Sequence, residues 1–215
     1  MDYNSDSVFR TLEEAFADLP PEEVKAHEKS GAFKYIPLHH DKFIEQLCIA
    51  LGLLLANDSS KKLKFIDVGC GIGTKLMLAA DISYNIVSHG IEINAQYVAK
   101  AKKLMECYNK KKLCGDNVRI DSENIILGDA RKHDFSPYDI LYFYCPMLDT
   151  AKQVELEAQL YKTAKEGALI LANLKKVMDT DDKNHSIKAA FRPISGSWTI
   201  YEKVRGKQAI KRLRS

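Results

Sequence analysis

The sequence predicts an α/β fold built on a mostly parallel sheet, with a helical extension ahead of it. Three observations carry that expectation. From Leu63 onward, short apolar runs alternate with longer amphipathic ones, the pattern of strand, helix and strand units around a parallel sheet. The first apolar run leads into glycines at 69, 71 and 73, a tight turn of the kind that joins a buried strand to a helix. The last two runs flank Ser195-Gly196-Ser197, a turn that adds an antiparallel strand at the end of the sheet.

Taken in order, residues 7–16 read as a helix, Pro20 and Pro21 interrupt it, and a second helical stretch runs from 22 to 29 and stops at Gly31. Residues 1–40 therefore form an N-terminal helical extension. Apolar residues at 43, 44, 47, 51, 54 and 55 follow helical spacing, so one face of that helix is buried. The polar run from Asn57 to Lys62 then separates it from the strand pattern. Strands are expected at 64–68, 86–91, 124–128, 138–144 and 168–174, with helices at 74–82, 95–110 and 152–164 between them. Residues 189–194 and 198–204 complete the set. No internal repeat is visible, which makes 41–204 one domain and 205–215 a basic tail.

The composition excludes several classes. A chain of 215 residues with 28% charged and 46% hydrophobic residues is an ordinary globular one. Its longest charge-free stretch, Gln46 to Asn57, is too short to span a membrane, and the first residues lack a secretory pattern. Five scattered cysteines without a C-x-x-C pair indicate neither a disulfide framework nor a zinc site, and a cytoplasmic location is expected. The adjacent His39 and His40 read as loop or helix-edge histidines, with no metal expected.

Chemistry concentrates in Asp67-Val68-Gly69-Cys70-Gly71-Ile72-Gly73-Thr74. Glycines here let backbone approach a ligand and turn into a helix whose first amides attract negative groups. A dinucleotide fingerprint needs glycine at 74, which is Thr74, so the turn departs from the usual NAD pattern. The next strand ends at Glu92, nineteen residues after Gly73, and the third leads to Gly128-Asp129-Ala130.

On these residues the chain resembles the class I S-adenosylmethionine-dependent methyltransferases. The resemblance covers roughly 33–174 and implies a Rossmann-like, seven-stranded, mostly parallel sheet with helices on both faces. It implies S-adenosylmethionine as cofactor, with Asp67, Gly69, Cys70, Gly71 and Gly73 at its methionine end. Glu92 and Ile93 would serve the ribose, where a carboxylate suits a vicinal diol, and Asp129 and Ala130 the adenine. Tyr144 would lie beside the transferred methyl group. The sequence Tyr144-Cys145-Pro146-Met147 differs from the Asn/Asp-Pro-Pro-aromatic run of base amino-methyltransferases, and Cys145-Pro146 reverses the Pro-Cys order of five-position cytosine enzymes.

Upstream, Tyr35-Ile36-Pro37-Leu38 is loosely similar to a segment in a group that includes nucleosome-core lysine methyltransferases. That likeness implies an acceptor channel lined by Tyr35, Tyr144 and Pro146, and a protein lysine or other amine as acceptor. RNA, a small molecule, or a non-catalytic scaffold role are the alternatives. The glycine turn lacks that group's commoner Leu-Gly-Ser-Gly, and no lysine-channel motif is recognisable.

The formal net charge of +3 is uneven. Six basic residues and no acid lie between Lys203 and Arg214, so the rest of the chain carries −3. No extensive nucleic-acid surface is expected, and the tail is a candidate site for an acidic partner.

Overall fold

The computed structural model describes residues 40–111, 120–144, 147, 149–172, 191–194 and 200–204. The first described element is α1 (His40–Leu55), followed by β1 (Leu63–Val68), α2 (Thr74–Ile82), β2 (Ile86–Glu92) and α3 (Ala95–Lys111). Then come β3 (Ile125–Leu127), β4 (Ile140–Phe143), α4 (Thr150–Thr163), β5 (Leu169–Ala172), β6 (Phe191–Pro193) and β7 (Ile200–Lys203). The sheet has seven strands in the order β3-β2-β1-β4-β5-β7-β6. The first five in that order are parallel, and β7 runs antiparallel to both its neighbours. The expected fold class is the observed one, antiparallel strand included.

Alternate residues of each strand feed two cores. Leu63 and Phe65 of β1, Ile140 and Tyr142 of β4, and Leu169 and Leu171 of β5 pack with α1, α2 and α3 on one face. Ile66, Val68, Leu141 and Ile170 pack with Leu156 and Leu160 of α4 on the other. Burial on both sides explains why these strands read as near-continuous apolar runs. Phe43, Leu47, Ala50 and Leu51 seat α1 on the first core. A buried leucine or phenylalanine contributes about 2 kcal/mol each by removal from water.

Element ends follow local chemistry. Helix α4 starts before the expected position because the Asp149 side chain accepts from the amides of Ala151 (2.7 Å) and Lys152 (3.4 Å). Asn94 caps α3 in the same way, accepting from Gln96 at 2.8 Å. Strand β3 is shorter than expected because Asn124 belongs to a single 3-10 turn capped by Asp121. Tyr138 closes a turn on Phe135, so β4 begins only at Ile140. The expected turn at 195–197, the extension at 1–39 and the tail at 205–215 lie outside the described residues.

One polar cluster sits away from the sheet's carboxyl edge. His133 Nε2 lies 3.2 Å from the Tyr138 hydroxyl, and the His89 ring packs edge-on against Tyr138. Burial lowers the pKa of both histidines below the ordinary 6.5. At these two sites the unfolded chain binds more protons than the folded one around that pH, so their contribution to stability declines as pH falls through 6.5. Replacing His133 with Gln removes one such contribution. In a series of denaturation curves the urea midpoint of the variant relative to wild type is expected to be higher at pH 5.5 than at pH 7.5.

Candidate functional site

Parallel strands place their carboxyl ends together, and the order reverses between β1 and β4, the kind of switch point at which an open α/β sheet has its ligand crevice. The glycine turn crosses this point. Gly69, Gly71 and Gly73 take φ of 78°, 54° and 80°, values that side chains other than glycine adopt at a cost. The amides of Gly69 and Cys70 both donate to the Ile91 carbonyl, at 2.8 and 3.1 Å, which ties the turn to the end of β2. Gly73 is the N-cap of α2 and supplies no side-chain cap, and its carbonyl accepts from the Leu76 amide at 3.1 Å.

Two acids meet beneath the turn. Asp67 and Glu92 are each 5% exposed. Asp67 stands in register with Gly90 of β2 and Tyr142 of β4, so it shares their face of the sheet. Glu92 Oε2 accepts from the Gly71 amide at 2.9 Å and Oε1 from the Asn94 amide at 2.8 Å. Each oxygen keeps a second lone pair, directed by these bonds. Burial raises Asp67 to about 7, the Lys75 ammonium pulls it down and the charge of Glu92 pushes it up. Burial, then Asp67 and Glu92, also raises the Cys70 thiol well above its usual range, so this thiol stays protonated.

Asp129 and Ala130 follow β3 at the same edge, Ala130 buried. Asp129 is more committed than its sequence position suggests. Its Oδ1 accepts from the Arg131 amide and Nε, both at 3.0 Å, and its Oδ2 from Arg131 Nη2 at 2.7 Å. Arg131 also reaches Glu155 of α4 at 2.9 Å. This guanidinium holds Asp129 below the usual carboxylate range. Ile93 is half-buried between Glu92 and Asn94. Tyr144 stands at the end of β4 and is 53% exposed. Tyr35 and Pro146 lie outside the described residues.

The sequence matches the family described as a methyltransferase domain over residues 59–213. The chain belongs to that family. It is an S-adenosylmethionine-dependent methyltransferase with a Rossmann-like fold. No curated protein matches the sequence. Among solved structures it is similar to an RNA methyltransferase from Salinibacter ruber in complex with S-adenosyl-L-homocysteine, with 19% identity, 77% of this chain and 91% of that chain covered, and a TM-score of 0.46. It is similar to a magnesium protoporphyrin IX methyltransferase from Synechocystis PCC 6803, with 16% identity, 76% and 80% covered, and a TM-score of 0.47. A third likeness is to the plantazolicin methyltransferase BpumL, at 14% identity and a TM-score of 0.47. There the alignment covers 84% of this chain but 66% of that one, just under two thirds of its length.

The methyltransferase carries polar residues near its crevice that the motif spacing did not indicate. Lys75 and His40 are buried side by side, with Nζ 2.8 Å from Nδ1. His40 is thus a helix-edge histidine as expected, but its partner is 35 residues away. Tyr142 packs its ring edge-on against Phe43 at 4.9 Å, and burial, then Asp67, raises its phenol far above the ordinary value. The one signal in the sequence was a lysine directly ahead of the apolar run Leu76-Met77-Leu78-Ala79-Ala80. Among the described residues no group of three or more potential ligands could hold a metal ion, and no helix is long and apolar enough to cross a membrane.

Proposed function

We propose that the crevice at the ends of β1 and β2 holds S-adenosylmethionine, and that the enzyme transfers its methyl group to RNA or a small molecule. The observation that carries the reading is Glu92, whose two carboxylate oxygens are aimed by amides of Gly71 and Asn94. The chemistry of the donor set fits the cofactor. Two acids buried together favour a ligand that brings cations and hydroxyl donors, and this cofactor has an ammonium, a sulfonium and a ribose diol. Asp67 and the turn from Gly69 to Gly73 would hold the methionine end, Glu92 and Ile93 the ribose, and Asp129 and Ala130 the adenine. Arg131 would keep Asp129 oriented for that contact.

The cofactor supplies a methyl group activated on a positively charged sulfur. The chain's own contribution is to bind, orient and exclude water. Tyr144, with Tyr35 and Pro146, would line the way in for the acceptor. An acceptor other than a protein lysine fits better, because the sequence has no lysine-channel motif. The 35–38 segment, which carried the lysine likeness, is outside the described residues. In the same reading 1–40 is an extension, 41–204 the catalytic domain and 205–215 a tail, and the cysteine pattern favours a cytoplasmic enzyme.

Calorimetry against S-adenosylmethionine and NAD tests the cofactor, and labelled cofactor incubated with separated RNA, metabolite and protein pools tests the acceptor. One-to-one binding of S-adenosylmethionine is expected, with label entering the RNA or metabolite pool. Preferential NAD binding, or label confined to protein, would overturn the respective half of the proposal.

A further inference from the structure

Helix α1 is buried along one face by Phe43, Leu47, Ala50 and Leu51. Its outer face changes character halfway. Asp41, Lys42 and Glu45 stand exposed on the first half, whereas Cys48, Ile49, Gly52 and Leu53 stand exposed on the second. Ile49 is 39% and Leu53 49% exposed, and the two lie one helical turn apart. A Cβ built on Gly52, in the same patch, would meet nothing within 4 Å. Glycine inside a helix costs stability against alanine, and no neighbour among the described residues needs the space. The helix thus gives up stability at the centre of an apolar patch that nothing among the described residues covers.

The sequence ahead of α1 supplies a match. Residues 7–16 read as a helix, and the pattern extends to Leu19, just before Pro20. Val8, Phe9, Leu12, Ala15, Phe16 and Leu19 fall on one side at helical spacing, with Arg10, Thr11, Glu13, Glu14 and Asp18 on the other. A helix of this length is marginal in water by itself, so its apolar side needs a surface to cover. Residues 20–39 join it to α1 and span about 25 Å as a flexible chain, while the patch begins about 12 Å along α1 from His40. Tethering on that scale gives an effective concentration of about millimolar, which favours this segment over a second copy of the chain.

We propose that residues 7–19 form an amphipathic helix docked along the second half of α1, its apolar side on Ile49 and Leu53 and Gly52 at the closest approach of the two helices. The missing side chain at 52 lets the second backbone come near, which is the return for the stability that glycine costs. Docking also fixes both ends of the 20–39 connection, which carries Tyr35.

The test is thermal melting of the full chain carrying Gly52→Lys, beside light scattering for its mass. Lysine suits an exposed helix face and is costly beneath a second helix. The variant should melt about 5 °C or more below wild type. In a Phe9→Gln, Phe16→Gln background, which releases the segment, the same change should instead raise the melting temperature by about 1–3 °C, the gain from replacing an exposed helix glycine. A reversal of sign between two parts of the sequence is the coupling that contact predicts. A rise caused by Gly52→Lys in the otherwise unaltered chain would overturn the proposal, since the patch would then be open to solvent. An equal fall in both backgrounds would overturn it too, assigning the cover to something other than this segment. So would a wild-type dimer that Gly52→Lys converts to monomer. If Gly52→Lys does not fold, Ala15→Cys decides: a short bismaleimide should link that position to the exposed Cys48 within one chain, located by peptide mass. No link, or links only between copies, would overturn the proposal.

Discussion

Glu92→Ala is expected to weaken S-adenosylmethionine binding by about 10- to 100-fold, the range of one or two lost charge-assisted hydrogen bonds. Two losses combine in that variant. In the proposed reading the ribose hydroxyls lose a carboxylate acceptor, and the amides of Gly71 and Asn94, now bonded at 2.9 and 2.8 Å, lose theirs. The second loss loosens the glycine turn before any ligand arrives. The melting temperature of the ligand-free protein should therefore fall as well. Glu92→Gln should fall between the two proteins, because its amide carbonyl can still accept while its NH2 faces a donor. Calorimetry beside thermal melts separates the two contributions. An unchanged affinity in a folded Glu92→Ala protein would remove this acid from the site.

Gly90→Ala is expected to destabilise the fold by about 1–3 kcal/mol, the usual cost of forcing a methyl into a filled space. The new Cβ would lie 2.7 Å from Cys70 Sγ, 2.9 Å from Cys70 Cβ and 3.1 Å from Leu76 Cδ2. Cys70 cannot retreat without moving the turn, because its amide and that of Gly69 hang on the Ile91 carbonyl. For a chain of this length each kcal/mol lowers the melting temperature by about 2–4 °C. Adding Cys70→Ala should restore part of the loss, since it removes the nearest atom and leaves the Cβ contact at 2.9 Å. A Gly90→Ala protein that melts like wild type would show that β2 and the turn can separate at no cost.

Much of the fold was legible before any coordinates. Runs such as Leu63–Val68, where all but Lys64 are buried, and Leu169–Ala172 are rich in apolar residues because helices cover both faces of the sheet, and such runs announce themselves in the sequence. The glycine turn was equally plain, since positive φ leaves few alternatives to glycine. The spacing from Gly73 to Glu92 placed the acid at a strand end because a helix and a short strand occupy that interval. Element ends were less legible, because side-chain caps such as Asp149 and Asp121 decide them locally.

The sequence alone determined the class of fold, the turn and the order of its acids along the chain, because periodicity and backbone sterics are properties of neighbouring residues. Only the tertiary structure decided what those acids meet. Nothing in the pattern around Gly90 distinguishes it from a glycine that merely breaks a strand, and its requirement comes from Cys70, twenty residues earlier. Asp129 looked open to a ligand, yet Arg131 and Glu155 bind it into a network anchored on α4. Lys75 read as one cation among many until α1 brought His40 against it and the core closed around both. Burial and charge pairing are set by which surfaces come together, and a one-dimensional pattern records that a side chain is apolar or charged without recording its neighbours.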